Sequence, residues 1–164
     1  MTDSQSSKVR LYLALYIRDG VTVRSQALDH YHWALLTISS KDKSLQPIAT
    51  RFHARDYYIN PSQTHWIYEE IHVSSCGTPK LLSQTYIGDV IETERLFEIL
   101  RDAPVKQERG WNCVSWVRGA MEMVWADEVL KGGKRDGWEG LEWKALIEAD
   151  AEVVRREGRV RAVL

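Results

Sequence analysis

Apolar positions in the first half of the chain recur with a period of two. Val9 to Ile17 is apolar and β-prone, and Asp19-Gly20 follows as a turn signal. Residues 30–39 alternate as well. His32, Ala34, Leu36 and Ile38 fall on one face, and Tyr31, Trp33, Leu35 and Thr37 on the other. Both faces are largely apolar, which predicts a central strand. Lys41-Asp42-Lys43 reads as a hairpin tip. Ile48 to Arg55 alternates next, with Ile48, Thr50, Phe52 and Ala54 on one side. His65 to Val73 and Leu81 to Val90 complete the predicted strands, separated by a turn-like stretch around Cys76.

The period changes to helical in the second half. Leu96, Phe97, Ile99 and Leu100 predict a helix that begins near Glu92 and stops before Pro104. Cys113, Trp116, Val117, Ala120 and Val124 recur at helical spacing behind Asn112, a good N-cap residue. Gly132-Gly133 marks the end of that segment. A third helix is expected from Glu139 or Gly140 to about Glu157, with Arg155, Arg156, Glu157 and Arg159 as a solvated end.

Strands first and helices later predict an α+β fold: a small antiparallel sheet packed on the helix that Cys113 opens. With 164 residues the chain fits one domain, expected over residues 9–164 behind a disordered tail at 1–8. Its 22 basic and 23 acidic residues nearly cancel, so no overall field favours nucleic acid or an anionic membrane. No stretch approaches about 18 uninterrupted apolar residues, so an integral membrane protein is not expected. The first residues lack the apolar run of a signal peptide, and two cysteines make no disulfide framework. A cytoplasmic setting is the default expectation. Seven Trp and seven Tyr against two Phe suit a pocket as well as a core, because both side chains carry a polar handle.

Candidate chemistry centres on Cys113. Its place in the first turn of a helix favours an anion there, and a thiolate is the reactive form of the group. A lone cysteine on an apolar face is usually inert packing, so the thiol needs a base. His32 is the leading candidate, and His30, on the same strand face, is its rival. His53 shares its face with Arg51 and Arg55, which reads as wet rather than enclosed. Glu69, Glu70 and Asp56 are alternative orienting groups. A metal site built on His30, His32 and Cys113 lacks the usual local ligand spacing, so no metal and no cofactor are expected. Gly132-Gly133-Lys134 is not a phosphate loop, and no Gly-x-Ser-x-Gly elbow occurs.

Three short segments carry a resemblance. His32-Trp33-Ala34, then His53, then Asn112-Cys113 with Trp116 resemble the motifs of the permuted, lecithin retinol acyltransferase-like branch of the NlpC-type, papain-like cysteine enzymes. The likeness spans roughly residues 30–120. The chain is also similar to small uncharacterised fungal proteins, a likeness that implies no activity. The enzyme resemblance implies a circularly permuted papain-like fold, with Cys113 as nucleophile, His32 as base and His53 as its orienting partner. It implies acyl transfer through a thioester, by a hydrolase or an acyltransferase. The expected substrate is a small soluble amide, ester or thioester. Tyr12, Asn112 and Trp33 are candidates for substrate or oxyanion contacts, together with the Cys113 backbone N–H. Two other classes remain open. One is an acid–base or cyclising enzyme that uses the histidines without the thiol. The other is a binding module with a silent Cys–His pair. The oligomeric state is not legible.

Overall fold

Alternation along Leu11, Leu13 and Leu15 places three leucines on one side of a strand, and all three are fully buried. This strand, β1 (Lys8–Ile17), lies inside a six-stranded sheet built with β2 (Tyr31–Ser40), β3 (Ile48–Asn60), β4 (Gln63–Ser74), β5 (Leu81–Val90) and β6 (Leu130–Lys131). The computed structural model describes residues 8–18, 30–40, 47–75, 77–132 and 136–163. The sheet order is β4-β3-β2-β1-β5-β6, and every neighbouring pair is antiparallel. Three helices complete the α+β fold: α1 (Thr93–Asp102), α2 (Cys113–Asp127) and α3 (Gly137–Val163).

The two faces of the sheet are unequal. On one, Leu11, Leu13, Leu15, Trp33, Leu35 and Phe52 pack against the helices. Helix α2 contributes Cys113, Val114, Trp116, Val117, Ala120, Met121 and Val124, and α3 contributes Ala145 and Ala149. The opposite face carries a smaller cluster of Ala14, Tyr16, Ala34, Leu36 and Ala49. β2 is central, flanked by β1 and β3, which is why both of its faces are apolar.

Several boundaries differ from the pattern-based ones. β3 runs on past Arg55 to Asn60, and β4 begins at Gln63 rather than His65. Tyr57, Tyr58 and Ile59 are exposed at this hairpin end, so no single buried face imposes alternation there. The turn is stabilised locally: the Ser62 backbone N–H donates to the Asn60 side-chain oxygen at 3.1 Å. Helix α2 ends before the glycine pair, at a left-handed Glu128. Helix α3 is longer than expected at both ends. Arg156 is not simply a solvated charge. Its guanidinium donates to the Leu81 carbonyl at 2.7 Å and pairs with Glu152, tying α3 to the start of β5. Of the tail expected at residues 1–8, Lys8 instead opens β1; residues 1–7, the turns at Asp19-Gly20 and Cys76, and the tip at Lys41-Asp42-Lys43 lie outside the described residues.

Candidate active site

Helix α2 starts abruptly because Asn112 caps it. Asn112 is extended, and its side-chain oxygen accepts the Ser115 backbone N–H at 3.1 Å. The Ser115 hydroxyl in turn accepts the Asn112 backbone N–H at 3.3 Å. This reciprocal box fixes Cys113 as the first helical residue. It also occupies the Asn112 side-chain oxygen with capping.

The thiol of Cys113 is 1% exposed and lies against the backbone of β2. The sulfur is 4.0 Å from the Tyr31 carbonyl and accepts hydrogen bonds from the Trp33 and Val114 backbone N–H groups. A helix start alone would depress its pKa. Burial pushes the thiol up instead, and those two bonds only partly oppose it. The sequence-based expectation of a ready thiolate is corrected here: desolvation outweighs the helix end. Iodoacetamide at pH 8 should therefore alkylate Cys113 at least about tenfold more slowly in the folded chain than in urea. Peptide mapping of the labelled thiol provides the rate, and equal rates would contradict the burial.

The histidines do meet. His32 Nε2 lies 2.5 Å from His53 Nδ1, and His53 Nε2 lies 2.8 Å from a Glu69 carboxylate oxygen. The other Glu69 oxygen pairs with Arg55 at 3.0 Å. The chain fixes the tautomers. Glu69 accepts, so His53 carries its proton on Nε2 and accepts on Nδ1. His32 must then donate from Nε2, which leaves Nδ1 as its unprotonated ring nitrogen. Strand pairing explains how the rings reach each other. The β2–β3 ladder stops at Leu35–Phe52, whereas β3–β4 continues and sets His53 opposite Glu69. His32 lies three residues before that last β2–β3 pair and His53 one residue after it, so the two rings meet where the ladder ends.

His53 is not wet, as the flanking arginines suggested. It is 3% exposed. Burial first, then the charges of Arg51 and Arg55, lowers its pKa to about 3. His32 is also lowered to about 3, by burial first and then by the charges of His53, Arg51 and Arg18. Both rings are neutral near pH 7, so the His53–Glu69 contact is a hydrogen bond rather than an ion pair. This carries a pH signature. The unfolded chain binds these protons below about pH 6.5 while the folded one refuses them until about pH 3. Folding stability is therefore full above pH 6.5 and falls as pH drops toward 3. Each of the two histidines adds to that slope. Urea midpoints between pH 5 and 7 measure the slope, and His53→Gln should flatten it.

Alternation separates the imidazole from the sulfur. His32 pairs with Tyr16, its ring centroid 6.3 Å away, on the face of Ala34 and Leu36. Cys113 packs on the face of Tyr31 and Trp33. The two groups flank one ion pair, Arg18–Asp56 at 3.0 Å, whose charges act on both. A cavity of about 330 Å³ opens on the imidazole side, lined by Tyr16, Arg18, His32, Arg51, Asp56 and Lys80 among others.

The remaining candidates sort clearly. Trp33 is fully buried beside Trp138, with ring centroids 6.1 Å apart, so its side chain is core; only its backbone N–H reaches the sulfur. Tyr12 packs on Tyr86 and pairs with Leu36, about 13 Å along β1 from the site at roughly 3.3 Å per residue. Tyr16, on the same strand face, holds the position opposite His32. Strand period alone makes Tyr12 and Tyr16 equivalent, and only the register separates them. His30 precedes β2 and is half-buried. His65 meets Tyr57 edge to face, and His72 meets Thr50 at 3.2 Å. Glu70 holds Arg101 at 2.8 Å, away from the histidines. Among the described residues no group of three or more His, Cys, Asp or Glu is placed to hold a metal ion. No described helix is long and apolar enough to cross a membrane.

With the geometry in place, a family model matches residues 8–156, from the first residue of β1 well into α3. The chain belongs to DUF6914, a family of unknown function. No curated protein and no solved structure matches it. Every residue of the cavity and of the His32–His53–Glu69 chain falls inside the DUF6914 match, as does Cys113.

Proposed function

We propose that this DUF6914 protein is a cysteine-dependent acyl-transfer enzyme with a circularly permuted, papain-like site. The observation that carries the reading is the hydrogen-bonded chain His32–His53–Glu69, which ends on the same β2 segment that the Cys113 sulfur touches. In the proposed reaction the sulfur attacks the carbonyl carbon of a small ester, amide or thioester. His32 Nδ1 takes the thiol proton. The tetrahedral intermediate collapses, the bond to the leaving group breaks, and His32 returns the proton to it. His53 fixes the tautomer, and Glu69 stabilises the charge that His32 acquires. The Cys113 backbone N–H, at the helix start, faces the developing oxyanion. Water or a second nucleophile then cleaves the thioester.

Because the resting thiol and imidazole are both neutral and lie on opposite faces of β2, this reading requires that bound substrate bring the two together before the proton moves. The test is p-nitrophenyl acetate as a generic acyl donor. A burst of nitrophenolate with an acetyl group mapped to Cys113 supports the reading. Turnover without an adduct on Cys113, even at short times, rejects it.

A second reading has an observation of its own. The cavity reaches His32, while the sulfur is buried on the other face. An acid–base or cyclising reaction on a small metabolite would use His32 Nδ1 and leave the thiol as packing. Under that reading Cys113→Ala stays active and His32→Ala does not.

A further inference from the structure

The cavity beside His32 has an unbalanced wall. Its described lining residues include the cations Arg18, Arg51 and Lys80 and one carboxylate, Asp56. Arg18 already holds Asp56 at 3.0 Å, and Arg55, on the neighbouring stretch of β3, holds Glu69 at 3.0 Å. Arg51 differs. Its guanidinium lies over the Tyr16 ring, 5.2 Å from the centroid, and hydrogen-bonds the Tyr16 phenol. Its Nε is buried with no hydrogen-bond partner among the described residues. A half-buried guanidinium whose Nε has no partner among the described residues retains a strong preference for an oxyanion, since its planar fork matches a carboxylate or a phosphate. The volume, about 330 Å³, suits a small ligand.

We infer that the molecule this site takes carries a carboxylate or phosphate group, seated in the cavity beside His32 by Arg51 together with Arg18 and Lys80. That this molecule is the acyl substrate rests on the acyl-transfer reading above; the anion site itself does not. The anion would also alter the base. Groups that face the His32 ring are Tyr16 and Arg18 from β1 and its end, and His53, Arg51 and Asp56 from β3. Lys80 adds its charge from across the cavity, Glu69 acts through His53, and Cys113 lies beyond the β2 backbone. The cations among these disfavour an imidazolium, and a bound anion offsets them. The occupied site therefore has a stronger base than the resting one.

The test uses the full chain labelled with nitrogen-15, observing the imidazole resonances, with His32 assigned by its loss in His32→Gln. Inorganic phosphate and acetate are titrated separately against sodium chloride of equal ionic strength. The expected result is a saturable displacement of the His32 signals by phosphate or acetate that chloride does not produce. Tighter phosphate binding assigns a phosphate group, and tighter acetate binding a carboxylate. Arg51→Gln should weaken the binding at least about tenfold, the usual loss for removing a charge-assisted contact. Lys80→Gln, at an exposed position, provides a second variant if Arg51→Gln fails to fold by circular dichroism. No saturable change beyond chloride, or an affinity that neither variant alters, would overturn the inference. The titration is repeated on Cys113→Ala. Binding retained there while acetyl transfer is lost separates the anion site from the thioester mechanism.

Discussion

Cys113→Ala should abolish acyl transfer from p-nitrophenyl acetate by at least about 1,000-fold, and His32→Ala should match it. The double variant should be little worse than either single one, because nucleophile and base act as a unit. His53→Ala should lose less than either, since it removes the group that orients His32 and links it to Glu69 but leaves nucleophile and base in place. The fold should survive the cysteine change. Only the sulfur is removed, and the helix start is held by the Asn112–Ser115 box rather than by Cys113. Single-turnover rates with intact-mass detection of the adduct provide the measurement. Near-full activity in Cys113→Ala with loss in His32→Ala would transfer the chemistry to the acid–base reading.

Trp33→Ala should be the most damaging single change to stability. The side chain is fully buried between the sheet and the helices, beside Trp138. Truncating a buried tryptophan costs about 3–5 kcal/mol. For a domain of this size that lowers Tm on the order of 10 °C. Trp33→Phe should retain most of the stability and all of the acyl-transfer chemistry, because only the Trp33 backbone N–H reaches the sulfur. A thermal melt of both variants decides the matter. A stable Trp33→Ala with altered substrate preference would return this residue to the substrate contacts.

These expectations show where pattern reading works and where it stops. The strand β2 was legible because both of its faces are apolar, and it proved central. The helix start at Cys113 was legible because Asn112 caps it with a local, sequence-adjacent partner. His53 was harder. Its neighbours Arg51 and Arg55 suggested solvent, yet each has its own partner: Tyr16 for Arg51 and Glu69 for Arg55. Those pairings depend on register between strands, which alternation does not encode. The same gap hid Tyr16 behind Tyr12 and Glu69 among the acidic candidates. The raised thiol was missed for a different reason. Sequence marks a helix end but not how much backbone covers it, and at Cys113 the cover decides the sign.

That cover has a chemical consequence beyond turnover. Peroxides oxidise thiolates, and susceptibility follows thiolate character and access. A sulfur kept protonated beneath the β2 backbone meets neither condition at rest. Under the acyl-transfer reading, the nucleophile is thereby stored in a form that resists conversion to sulfenic acid.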